Sequence, residues 1–87
     1  MVISAAALAD FRKRLARAAL DEVLADLAGI ELAAGVSAGQ IRRRLTSLVE
    51  AAVKAGILPR SSKPLEAIER ALEANALLVE ESQVGDT

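Results

Sequence analysis

Between Ser37 and Pro59 the chain spells out one helix together with both of its ends. Ser37 and Gln40 have the spacing of a capping box, in which side chains satisfy the backbone N–H groups left free by the first turn. Ile41, Leu45, Leu48, Val49, Ala52 and Val53 then recur at intervals that bring side chains to one helix face. Lys54 suits the negative end of the helix. Gly56 fits the left-handed position just past it, where Ile57 can add an apolar contact. Pro59 forbids continuation. A helix with one apolar side must bury that side, so this stretch commits the chain to a packed helical partner.

The remaining segments supply such partners. Ser4 can cap a first helix whose apolar face is Leu8, Phe11, Leu15 and Ala19. Leu20, Leu24 and Leu27 then lie roughly a third of a turn away, at about 100° of rotation per residue. One helix cannot bury both stripes against one neighbour. A break or bend is therefore expected near Leu20–Asp21, with Asp21 as a candidate cap and Glu22 favourable in the first turn, a single bent helix being the alternative. Gly29 is the expected stop of the second helix, followed by a Gly-containing segment with Ile30 and Leu32 tucked in. Ser62 or Lys63 is the expected cap of a last helix with Pro64 in its first turn. Its face is Leu65, Ile68, Leu72, Ala76 and Val79, and Glu66–Arg70 forms a surface pair. Asn75 beside that face is expected to bond a loop carbonyl, the alternative being a polar contact within an interface. Neither strand-like alternation nor internal repeats are present. The fold class is all-α, a compact bundle of four to six short helices, with residues 1–80 as a single interaction domain and 81–87 as a flexible tail. Leu45, Leu48, Val49, Ile68 and Leu72 are expected to share its core.

Composition excludes several kinds of chemistry. The 87 residues contain no Cys, His, Trp or Tyr. Thiolate metal sites and disulfides are excluded, and so are the usual general base and the commonest transition-metal ligand. The carboxylates Glu66, Glu69 and Glu73 fall at solvent-facing positions, so neither catalysis nor a cofactor, metal or small-molecule substrate is expected. No apolar run reaches the length of a membrane span, and the start of the chain lacks a basic signal-peptide region. A cytoplasmic protein without a membrane partner is the resulting expectation.

Net charge is only −1, yet the charges are sorted into blocks. Residues 1–20 carry Arg12, Lys13, Arg14 and Arg17 against Asp10. Residues 21–35 carry only Asp21, Glu22, Asp26 and Glu31. Residues 36–64 are basic again, with Arg42, Arg43 and Arg44 in a row, and residues 65–87 are acidic. Neighbouring helices of opposite sign can attract within one molecule, or a two-faced surface can attract another copy. On the second reading the candidate contact residues are Arg42, Arg43 and Arg44 against Asp21, Glu22 and Asp26 of another molecule. Arg43 is expected to project directly outward and its neighbours to lean toward the edge of the apolar face.

Nucleic acid is the alternative partner. A helix-turn-helix would present Gln40, Arg43, Arg44 and Ser47 from the third helix to base edges. The expected turn from Gly29 to Ser37 is long for that motif, and the pI of about 5.4 is poor for phosphate. A docking domain of a multi-enzyme assembly is a further alternative.

Three segments resemble the small effector-associated domains of bacterial conflict systems. Leu24-Ala25-Asp26-Leu27-Ala28-Gly29-Ile30-Glu31-Leu32 resembles that family's Leu-rich helix and Gly-polar-Leu turn. The run from Leu48 to Leu58 is similar to its Leu-Ile-Glu-Trp-Ala-Glu-x-x-Gly-x-Leu segment, with Ala51 at the tryptophan position. Ala71-Leu72-Glu73-Ala74-Asn75 resembles its closing Ala-Leu-Glu-Ala-Asn. Caspase-recruitment-like death folds of defence proteins are similar as well. The resemblance implies an adaptor that associates with another copy or with a like domain of an effector protein.

Overall fold

The computed structural model describes residues 3–60 and 63–76, which form four α-helices and no strand. The expected tail at 81–87 and the expected core residue Val79 lie outside them.

Helix α1 spans Ala5–Leu15, and the Ser4 hydroxyl accepts from the Ala7 N–H at 3.1 Å as the cap spacing predicts. The expected break is present but falls earlier. The chain leaves the helix after Leu15, and Ala19 stands in extended conformation before α2 begins at Leu20. Asp21 is therefore not the cap; it sits with Glu22 inside the first turn, where carboxylates complement the helix dipole.

Helix α2 runs Leu20–Ala33 without stopping at Gly29. Its end is at Gly35, whose φ of 89° lies in the left-handed region. There the Val36 N–H donates to the Glu31 carbonyl and the Gly35 N–H to the Leu32 carbonyl, both at 3.0 Å, a Schellman ending. Continuing the helix turns Ile30 outward, 54% exposed, against the expectation that it is tucked in; Leu32 is buried.

Helix α3, Ala38–Lys54, matches its sequence signals at both ends. The Ser37 hydroxyl accepts from the Gln40 N–H at 3.3 Å. At the far end Gly56 has φ 77°, and the Ile57 N–H donates to the Ala52 carbonyl at 2.9 Å. Its buried ridge is Ile41, Leu45, Val49 and Ala52. Leu48 and Val53 flank that ridge and are only half-buried, so the expected face is narrower than its apolar residues.

Helix α4, Pro64–Ala74, opens on proline as expected, with Lys63 before it making no side-chain capping bond; Ser62 lies outside the described residues. Its buried side is Ala67, Ile68, Ala71 and Leu72. Leu65 is 64% exposed and Ala76 is exposed, so neither belongs to the core stripe. The two buried alanines explain the shift: their small side chains let α4 lie close against α2.

Among the described residues α2 and α3 each touch every other helix, whereas α1 and α4 do not meet. The core therefore lies between α2 and α3 and is covered by α1 on one flank and α4 on another. Arg70 reaches Asp21 and Asn75 reaches Ala25, so α2 and α4 run in the same sense. Asn75 donates to the Ala25 carbonyl at 3.0 Å and to the Ala71 carbonyl at 2.9 Å. Both acceptors are helical, not the loop carbonyl expected. A Cβ at Gly29 would stand 3.0 Å from the Asn75 Oδ1, which accounts for glycine in mid-helix.

That contact gives a stability prediction. Alanine is better than glycine in a helix by about 1 kcal/mol, but at Gly29 it crowds Asn75. In a double-mutant cycle, Gly29→Ala should be clearly more favourable in the Asn75→Ala protein than in the unaltered one. Equal effects in the two backgrounds, measured by urea denaturation, would mean that the glycine serves no close approach.

Candidate functional site

The three consecutive arginines diverge because successive helical residues are about 100° apart. Arg42 turns to α4, where its Nε and Nη2 donate to the two oxygens of Glu69 at 2.8 and 3.4 Å. Arg44 turns to α2 and stands 3.4 Å from Glu31. Arg43 projects from the exposed side of α3 and enters no ion pair among the described residues. The arginines are thus brought to three different places, not to one surface.

The acidic members divide similarly. Asp21 accepts two hydrogen bonds from Arg70, each at 3.0 Å. This bond is the main reason that the Arg70 pKa is raised above its ordinary value. Arg70 thereby turns to α2 and does not close the expected pair with Glu66. Asp26 stands 3.4 Å from Arg14, which also meets Asp10 at 3.1 Å. Glu22 enters no ion pair among the described residues. Of the six expected contact residues, four are engaged inside the molecule, and only Arg43 and Glu22 remain.

Three of the interhelical pairs join a basic block to an acidic one, α1 to α2, α3 to α4 and α3 to α2; the fourth, Arg70 with Asp21, joins α4 to α2 through the one cation of an acidic block. Apart from Glu31, which is half-buried, their carboxylates and guanidiniums are largely solvent-exposed, so each exposed pair contributes only about 0–1 kcal/mol. Their main physical effect is to orient helices and to use up charge that would otherwise face a partner.

What remains on the surface is sorted. On α2, the exposed Ile30 lies in a shallow depression with Glu22, Asp26, Ala25 and Ala33, and acids are the only charges lining it. Arg12 and Lys13 on α1, and Arg17 in the connection that follows it, enter no ion pair among the described residues. The outward side of α3 carries Gln40, Arg43 and Glu50 and is polar. Between α1, α2 and α3 a cavity of about 180 Å³ is floored by Phe11, Leu27 and Leu45. Its charges, Asp10 with Arg14 and Glu31 with Arg44, already pair with one another, though the Glu31 Oε2 is buried without a hydrogen bond.

Sequence reasoning missed Ile30, because the assumed stop at Gly29 removed it from a helix. Its four-residue spacing from Asp26 and eight-residue spacing from Glu22 is the signal that a continuous helix would have revealed. Among the described residues no three carboxylates converge as a metal site would require, and no helix is long and apolar enough to cross a membrane.

Fold and surface together define a small all-α bundle with sorted surface charge. No family model matches the chain, and neither a curated protein nor a solved structure matches it.

Proposed function

We propose that this chain is a protein–protein interaction module that associates with another copy, or with a like domain of an effector, through charge-complementary contact. The observation that carries the reading is Ile30, a large apolar side chain left 54% exposed within an acid-lined depression. A central apolar residue ringed by polar groups is the usual anatomy of a contact surface, with the centre contributing most of the affinity. Surface cations left without a partner, Arg43 among them, supply the opposite sign. Adaptor work in bacterial defence, as the effector-associated and death-fold-like resemblance implies, is compatible with such a surface.

The test is association measured by light scattering over a salt series. Self-association should weaken as salt rises, because exposed charges are screened over about 8 Å at physiological ionic strength. Glu22→Arg and Ile30→Asp should each weaken it with the melting curve unchanged. A strict monomer at high concentration and low salt would sink the proposal.

One observation favours a second reading. The α2–α3 connection is only Ala34–Ser37 and carries left-handed Gly35, so the expected long turn is corrected to a short Gly-containing one. That length suits a helix-turn-helix. Arg42 and Arg44 are engaged by carboxylates, which leaves Arg43 as the free cation of the three. Salt-sensitive, sequence-selective DNA binding that Arg43→Glu abolishes would establish this second reading.

A further inference from the structure

The acid-lined face of α2 needs a basic seat with room for an apolar side chain. Arg43 does not offer one. Its neighbours on the exposed side of α3, Gln40 and Glu50, are polar and offer no apolar centre. A better match lies at the junction of α1 with the end of α3. There a groove of about 550 Å³ is walled by Leu8, Ala9, Ala16 and Ile57, and its charged lining is Arg12 and Lys13, with no acid among its residues.

We infer that the α2 face of one copy docks into this α1–α3 groove of a second copy. Ile30 enters between Leu8 and Ile57, and Glu22 meets Arg12 and Lys13. Three features of the two surfaces correspond. Each has an apolar centre; each has charges of one sign only; and the signs are opposite. Neither cation of the groove is engaged by an ion pair among the described residues, so docking does not have to break an existing bridge there. Arg14, which binds Asp26 from the same chain at 3.4 Å, stays on the side of α1 facing α2 and leaves Glu22 as the uncommitted acid. The two docking surfaces are different patches, so each joined copy retains one of either kind. Such heterologous contacts propagate until they close into a ring or continue as an open chain.

The inference rests on the reading of the chain as a self-associating module and can fail separately from it. The experiment uses sedimentation velocity at low salt on two variants whose substitutions are on exposed positions. Arg12→Glu/Lys13→Glu removes the groove's sign and keeps the α2 face. Ile30→Asp removes the apolar knob and keeps the groove. Circular dichroism melts confirm that both remain folded. Each alone should associate about tenfold or more weakly than the unaltered chain, the scale for losing a central contact. An equimolar mixture should recover a one-to-one complex, since each variant supplies the surface that the other lacks. If the unaltered chain associates but the mixture stays monomeric, the groove is not the seat. If Arg43→Glu abolishes association and Arg12→Glu/Lys13→Glu leaves it intact, self-association stands and this docking mode is wrong. A monomeric unaltered chain overturns both.

Discussion

Phe11→Ala should destabilise the protein by about 3–5 kcal/mol, the range for truncating a buried aromatic side chain. Phe11 is the only aromatic residue and the only fully buried side chain of α1. The rest of that helix is alanine or charge, with Leu8 and Leu15 half-buried. Removing the ring therefore takes away the principal anchor that holds α1 on α2 and α3. Small domains hold about 5–15 kcal/mol in all, so the loss should be visible as a large drop in the urea midpoint. Hydrogen exchange should report more protection lost in α1 than in α4, because those two helices do not touch. A midpoint unchanged by the substitution would mean that α1 does not dock through Phe11.

Leu24→Ala should cost about 2–5 kcal/mol, and Leu48→Ala clearly less. Leu24 is fully buried on α2, one of the two helices that meet all three others, so a void at that position cannot be filled by the shift of a single neighbour. Leu48 lines the cavity between α1, α2 and α3 and is half-buried; it has less area to lose and room to relax into. The pair corrects the expectation that Leu48 belongs to the centre of the core. Thermal melts of the two variants side by side decide the matter, and a larger loss at Leu48 would overturn the placement of Leu24, rather than Leu48, at the centre of the core.

Core and surface variants give two distinct kinds of association result. A core variant weakens everything at once, whereas Ile30→Asp and Arg12→Glu/Lys13→Glu touch only exposed positions. Association lost with the melting curve intact is therefore a property of the surface.

Local signals were legible wherever a residue acts on its own backbone. Ser4 and Ser37 cap, Gly56 ends α3 in the left-handed region, and Pro64 opens α4, all as their chemistry dictates. These effects span four residues or fewer, so no distant partner is needed to decide them. The all-α class followed from the same spacing of apolar positions, since helical periodicity with caps at both ends leaves no alternative for Ser37–Pro59. Block charge was legible too, as a pairing of opposite signs between helices.

Only the tertiary structure decided which apolar residues are core and which charges remain free. Leu65 and Ile30 have the hydrophobicity of core residues, yet they face solvent, because Ala67 with Ala71 and Ala28 with Val23 occupy the contact lines of α4 and α2. Hydrophobicity states what a side chain gains by burial; the close approach of two helices decides which side chains are granted it. Gly29 read locally as a helix stop, and its role depends on Asn75 far along the chain. The spacing of the arginine run already turns Arg43 outward and its neighbours toward the apolar edge, but only the packing decides that Arg42 meets Glu69 and Arg44 meets Glu31. Charge pairing over a distance of one side chain depends on which helices become neighbours, and that is settled by the packing of small residues rather than by any one segment's sequence.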